Sequence, residues 1–387
     1  MSLIINKIYR FFLLIISIIK INYYIFKQKK NNKNIKIIFF YFPVKIYQDN
    51  ILELIDEIKK EKNLEVILGF NAGTSQEIKK KVNSFFLNLG YLRYIKNIDI
   101  FLSSYVIYNF PISNNKVYIN HDIYDTPMVN KDKEEELIKS LNKCDYIFLS
   151  SEISVENLKN KFDRYLNDKK DINNTQFINT GYLKLDHVNK KFLNKKKIED
   201  SILLAPTLSS MFYKYNLSSI LENLIEKILF KNKFKLIYRP HPGDIKNEKQ
   251  KKTIEKIYKK YKNNENFILD SDISYLESYE RSKILITDFS GTAYTYAFST
   301  LKPVIFISRN EGELVNSEYN NLYFFKDRPL VGKIVDNLNN LNPEIINIIN
   351  DRKIFSEKIK LLRTKRIKYF NCSIEQNLYN IKNILKI

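Results

Sequence analysis

The sequence predicts an α/β protein built from two Rossmann-like domains, each a mostly parallel sheet covered by helices on both faces. Three observations predict it. Apolar strand-like runs alternate with helical spacing from Ile35 onward, the pattern of successive βαβ units. Three of those runs stop abruptly at polar residues able to hold phosphate or pass a proton: Val117-Tyr118-Ile119-Asn120-His121-Asp122, Tyr238-Arg239-Pro240-His241-Pro242-Gly243-Asp244, and Ile284-Leu285-Ile286-Thr287-Asp288-Phe289-Ser290-Gly291-Thr292. Strand ends of this kind are where α/β proteins place ligands. A chain of 387 residues is also long enough for two domains. Two such ends in the second half point to a nucleotide-diphosphate pocket, and the third, in the first half, is expected to face the same central cleft.

The first element carries the localisation signal. Phe11 to Ile19 is apolar all round, Lys20 interrupts it, and Ile21 to Phe26 resume it before Lys27, Lys29, Lys30 and Lys33. The stretch is short for a spanning helix, which needs about 20 apolar residues, and it lacks a small-residue cleavage site. A helix lying at an anionic membrane surface, peripheral on the cytoplasmic face, fits its length and flanking charge; the plain alternative is a buried first helix.

Residues 35–42 read as a buried strand ended by Pro43, 48–62 as a helix, and 64–70 as a strand that stops at Asn71-Ala72-Gly73-Thr74. Residues 75–89 read as a helix. Strands follow at 98–102, 105–108 and 117–120, then a helix over 132–143, a strand at 146–149 and a helix over 152–162. After a Lys-rich linker at 190–197, the second half gives strands at 201–207, 234–238, 267–269, 283–287 and 303–307. Helices at 217–231, 248–262, 274–281 and 291–300 alternate with them. The domains expected are a membrane-associating segment at 1–34, an acceptor domain at 35–190, a nucleotide-donor domain at 198–345, and C-terminal helices at 346–387 that cross back to the first domain.

Composition narrows the function. Hydrophobic content of 44% with 27 Tyr and 26 Phe excludes a disordered chain. The net charge of +21 comes mostly from Lys spread among Asn and Ile. No Arg-rich stripe, zinc-finger spacing or aromatic RNA-binding signature accompanies it, so no nucleic-acid partner is expected. The excess suits an anionic membrane surface or substrate. Cys144 and Cys372 form no CxxC or Cys/His spacing, which predicts a reducing setting and no structural metal. Asn371-Cys372-Ser373 matches a glycosylation sequon, a weak signal in a chain read as cytosolic. Neither GxGxxG, a P-loop nor a metal-binding carboxylate cluster is visible, which argues against dehydrogenase, kinase and metal-dependent GT-A readings; Asp270-Ser271-Asp272 reads as a loop, and no cofactor is expected.

Arg239-Pro240-His241-Pro242, Thr287-Asp288-Phe289-Ser290-Gly291, the sequel Tyr296 to Phe306, and Thr180-Gly181-Tyr182-Leu183-Lys184-Leu185-Asp186 stand in the order and approximate spacing of the CDP-glycerol glycerophosphotransferases. The chain resembles these teichoic-acid primases and polymerases over roughly residues 115–330. The resemblance implies a GT-B architecture, a donor nucleotide held by the second domain, metal-independent transfer and peripheral membrane attachment. Two departures stand out. Asn120-His121-Asp122-Ile123 occupies the place of the family's Trp-His-Gly-Thr, and Phe289-Ser290-Gly291 that of Tyr-Ser-Ser, so the donor and acceptor can differ from CDP-glycerol and a glycerol-phosphate polymer.

The residues support this chemistry in their own right. Phosphoglyceryl or glycosyl transfer from a nucleotide diphosphate needs a base for the acceptor hydroxyl and donors for the departing phosphate. His121 is the candidate base, with Asp122 and Asp125 beside it to orient the ring; a structurally satisfied strand-end His is the alternative. His241, fixed between prolines, and Arg239, with its charged fork, suit a pyrophosphate. Ser290, Gly291 and Thr292 open a helix whose N–H groups favour phosphate. Asp288 is expected to take a hydroxyl, a base edge or a His, with helix capping as its bland role. His187 reads as a hinge or surface residue.

The expected function is a membrane-associated transferase of cell-surface polymer synthesis, teichoic-acid-like or capsular. It would move a glycerol-phosphate-like group from a CDP-linked donor to a polyol-phosphate or glycan acceptor, free or lipid-linked. A CMP- or UDP-sugar glycosyltransferase, a nucleotide-sugar epimerase and an inactive GT-B scaffold are the alternatives.

Overall fold

The computed structural model describes residues 2–43, 51–71, 82–126, 131–166, 174–192, 199–211, 215–231, 233–272 and 274–387. The chain forms two compact units, the first from residues 1–121, 131–187 and 369–387 and the second from residues 122–130 and 188–368.

The first unit runs α1 (Ser2–Asn31), β1 (Lys36–Phe42), α2 (Leu52–Ile58), β2 (Leu64–Phe70), β3 (Asn83–Phe86), β4 (Ile98–Ser103), β5 (Ser113–Ile119), α3 (Lys131–Leu141), β6 (Tyr146–Leu149), α4 (Glu152–Tyr165), β7 (Gln176–Asn179) and α5 (Leu183–Phe192). Its seven-stranded sheet is parallel, in the order β3-β2-β1-β4-β5-β6-β7. The continuous apolar run of β1 follows from its central place, where both faces are covered. Ile38, Phe40 and Phe42 pack under α2 on one face, and Ile37, Phe39 and Tyr41 pack under α1 on the other.

Helix α1 is therefore a cover helix along its inner edge. Ile21 and Ile25 are fully buried, Ile18 and Tyr24 pack beside them, Asn22 Nδ2 donates to the Tyr94 carbonyl at 2.9 Å, and Lys29 pairs with Asp99 at 2.9 Å. Burying Ile21 and Ile25 is worth about 1.5–3 kcal/mol each. The opposite edge presents Phe12, Ile16, Ile19, Tyr23 and Phe26, all exposed, one helical turn apart in succession.

The second unit runs β8 (Ser201–Leu204), α6 (Leu221–Lys231), β9 (Lys235–Tyr238), α7 (Pro242–Lys246), α8 (Glu248–Tyr261), β10 (Phe267–Leu269), α9 (Leu276–Arg281), β11 (Ser282–Thr287), α10 (Thr292–Thr300), β12 (Val304–Ile307), α11 (Glu311–Val315), α12 (Tyr323–Lys326), α13 (Arg328–Val331), β13 (Gly332–Val335), α14 (Leu341–Asn350) and α15 (Arg352–Arg366). Its six parallel strands lie in the order β10-β9-β8-β11-β12-β13. Strand succession reverses between β8 and β11, the switch point at which such sheets bind ligands.

The segment after His121 is locked into this second unit. Tyr124 stacks on Tyr294 of α10 with ring centroids 3.9 Å apart, and its hydroxyl bonds to Asp327, which Arg366 holds with two bonds at 2.8 and 3.0 Å. Asp125 accepts the N–H groups of Tyr323 and Phe324 at 2.7 and 2.8 Å.

After α15 the chain returns to the first unit as α16 (Ser373–Leu385), where Ile381 and Leu385 join the α2 side of the core. Asp186 fixes this return by accepting the N–H groups of Asn371 and Ser373, both at 2.8 Å. Ser373 is fully buried, so the sequon residues make a structural turn.

Two expected elements differ. Of the helix read over 75–89, residues 75–81 lie outside the described residues, while 83–86 form edge strand β3 because Ser84 and Phe85 pair with Leu68 and Gly69 of β2. The expected strand at 105–108 is a connection, since β5 begins at Ser113 and pairs directly with β4. Asn71-Ala72-Gly73-Thr74 and the linker at 193–197 fall largely outside the described residues.

Candidate functional site

The loops that end β8, β9 and β11 form the polar edge of the second sheet. His241 follows β9 and caps α7, its Nδ1 accepting the Gly243 N–H at 3.0 Å. Nδ1 therefore carries no proton, and the neutral ring bears its N–H at Nε2 as a hydrogen-bond donor. Asp244, one turn on, accepts the Ser209 N–H at 3.1 Å and its hydroxyl at 2.6 Å, tying the β8 loop to α7.

Asp288 serves the same loop. It is 1% exposed, and its two oxygens accept the N–H groups of Thr207 at 2.8 Å and Leu217 at 3.1 Å. Burial pushes its carboxyl up to about 6, against these amide bonds, which favour the ionised form. These bonds tie Asp288 to main chain and set the loop's shape.

Arg239 braces a neighbouring loop. Its fork bonds Asp270 at 2.6 Å and the carbonyls of Asp272 and Ser274 at 2.8 and 3.2 Å. The guanidinium thus holds the β10 loop. That loop lines a cavity of about 130 Å³ with Asp270, Ser271, Asp272, Ser274, Glu277 and Arg281.

Ser290, Gly291 and Thr292 open α10 as expected from spacing. Ser290 Oγ accepts the Thr292 N–H at 3.3 Å, while Gly291 offers no side-chain cap. Asp122, expected beside His121 as a catalytic partner, lies against this turn. A Cβ on Gly291 would come within 3.0 Å of both Asp122 Oδ1 and Thr126 Oγ1, so the two side chains pack closely over the glycine. The Asp122 carboxylate suits the positive end of the helix dipole. Thr126 Oγ1 is buried there with no hydrogen-bond partner among the described residues.

In the first unit, His121 follows β5 and is exposed. Its Nδ1 lies 3.2 Å from the Tyr118 hydroxyl, and its carbonyl accepts the Tyr182 O–H at 2.6 Å. Asp125, also expected to orient the ring, is taken up by the amides of Tyr323 and Phe324. His187 lies on α5, 3.0 Å from Glu53. Among the described residues no group of three or more His, Cys, Asp or Glu side chains is arranged to hold a metal.

Asp244, Thr126 and Tyr118 were missed in the sequence. Asp244 and Tyr118 stand inside the motif runs quoted above, and only their spacing to His241 and His121 could have flagged them.

Comparison with known proteins gives the class. The second unit's β10-β9-β8-β11-β12-β13 order and the parallel first sheet make this a GT-B fold. The chain is similar to the wall teichoic acid polymerase TagF with CDPG, at 16% identity and a TM-score of 0.57 over 92% of this chain and 90% of that one. It is similar to the S. aureus MnaA–UDP structure, at 14% identity and a TM-score of 0.58 over 91% and 97%. A third similar structure is the Methanocaldococcus jannaschii UDP-GlcNAc 2-epimerase with UDP-GlcNAc and UDP, at 14% identity and a TM-score of 0.55 over 90% and 99%. At these identities the likeness is one of fold. By sequence, residues 148–324, a little under half of the chain, match the model of the LIC12162 family transferases, and the fold is GT-B. No curated protein matches the chain.

Proposed function

We propose that this transferase moves a glycerol-phosphate-like group from a CDP-linked donor to an acceptor hydroxyl in cell-surface polymer synthesis. The observation that most supports this reading is the switch-point edge of the second sheet. There the His241 Nε2–H and the start of α10 sit on the ends of β9 and β11, with the β8 loop pinned between them by Asp244 and Asp288. Donors so placed suit the two phosphates of a nucleotide diphosphate. Asp122 and Thr126, against Gly291, would take the hydroxyls of the polyol.

In the reaction proposed, His121 removes the proton of the acceptor hydroxyl, and the oxygen attacks the β-phosphorus. The bond from that phosphorus to the bridging oxygen breaks and CMP leaves. His241 donates its Nε2–H bond to the departing phosphate. His121→Ala is expected to lower turnover about 100-fold or more with donor affinity retained, whereas His241→Ala weakens donor binding or slows nucleotide release. Steady-state kinetics with calorimetric donor binding separates the two; unchanged turnover in His121→Ala rules it out as the base.

We further propose that α1 lies on an anionic membrane surface on the cytoplasmic side. Its exposed stripe from Phe12 to Phe26 would enter the headgroup boundary, with Lys20, Lys27, Lys30 and Lys33 adding about 1 kcal/mol each in a salt-screened manner. The protein should sediment with phosphatidylserine vesicles and be released only in part by high salt. Replacing Phe12, Ile19 and Phe26 by Ser should abolish sedimentation, and retention by that variant would sink the proposal.

A further inference from the structure

The Thr180-Gly181-Tyr182 turn and Tyr118 converge on one residue of the first unit. Tyr118, in β5, is 6% exposed, and Tyr182, just ahead of α5, is 4% exposed. The exposed His121 is tied to both: its ring Nδ1 to the Tyr118 hydroxyl at 3.2 Å and its carbonyl to the Tyr182 O–H at 2.6 Å. Gly181 has φ +79°, and a Cβ there would come within 2.8 Å of the Tyr369 carbonyl oxygen. Only glycine therefore makes the turn that brings Tyr182 to His121 without strain.

We propose that Tyr118 and Tyr182 are positioning residues for His121. The Tyr118 oxygen accepts the Nδ1–H, which places the ring's lone pair on Nε2, and Tyr182 fixes the main chain from which the ring projects. This rests on the reading of His121 as the base. A neutral imidazole carries one N–H and in solution favours it on Nε2, the wrong tautomer for a base acting through Nε2. Enzymes usually correct the tautomer with a carboxylate or carbonyl acceptor. Here Asp125 is committed to the amides of Tyr323 and Phe324, and the oxygen beside Nδ1 is that of Tyr118.

The chain has three histidines, so imidazole nitrogen NMR at about pH 8, where an ordinary His is neutral, can resolve each ring, with His121→Gln assigning its signals. The wild-type protein is expected to show His121 protonated at Nδ1. Tyr118→Phe should move the proton to Nε2 and lower kcat about tenfold or more while the donor KM stays put. Tyr182→Phe should lower kcat with the tautomer kept. A wild-type His121 protonated at Nε2, or a Tyr118→Phe variant whose tautomer does not change, overturns the proposal even if His121 proves to be the base. Full turnover in His121→Ala removes the base reading itself, and the positioning role with it.

Discussion

Burial raises the Asp288 carboxyl to about 6 while the N–H groups of Thr207 and Leu217 hold its oxygens. Because the folded value lies above the unfolded one, the native state binds the proton more tightly. Its stabilising effect is complete below pH 4 and is lost as pH rises through about 6. Asp288→Asn removes the titration and sets an amide N–H₂ against one of the two backbone donors. Denaturant titrations should show it less stable by about 1–3 kcal/mol. The wild-type advantage should widen as pH falls from 7 toward 4, by at most about 1.4 kcal/mol per unit; an advantage independent of pH would contradict the assignment. That this Asp closes a strand was legible in Thr287-Asp288. Its partners were not, because Thr207 lies 81 positions away and only sheet order brings it near. Arg239 teaches the same lesson: the strand end was read correctly, but the fork is turned onto Asp270. Arg239→Lys keeps the charge and loses the fork, so calorimetry should find donor affinity reduced about tenfold through a loosened β10 loop. Unaltered affinity would free that loop from any role in binding.

At the scale of elements, strands with long apolar runs were legible and edges were not. β6 at Tyr146–Leu149 and β10 at Phe267–Leu269 fall where the runs lie, whereas β3 is a two-faced edge strand whose Phe85 and Phe86 also fit helical spacing. Helix α10 is buried on every side from Ala293 to Thr300, which explains its lack of an amphipathic stripe. Helix α1 reads as apolar all round for a different reason: one edge covers the sheet and the other is exposed. The inner edge should behave as core. Ile21→Ala or Ile25→Ala is expected to cost about 2–5 kcal/mol in urea titrations, while Ile16→Ser on the outer edge stays within about 0.5 kcal/mol. Equal effects on both edges would mean that the helix does not seat on the sheet as described.

Over the whole molecule, two parallel sheets built from successive βαβ units were visible in the alternation of strands and helices, and the same alternation put three polar strand ends in view. The division of the chain was harder to read. The segment 122–130 joins the second unit because Tyr124 stacks on Tyr294 and Asp125 caps α12, contacts that no local pattern announces. Donor specificity is the property on which the proposed function stands or falls. The most direct measurement incubates the purified protein with CDP-glycerol, CMP-sugars and UDP-sugars, with and without a polyol-phosphate acceptor and with and without chelator, and identifies the nucleotide released. The account predicts CMP from CDP-glycerol, only when acceptor is present and undiminished by chelator. Conversion of a UDP-sugar without acceptor, or no nucleotide released from any donor, would contradict it.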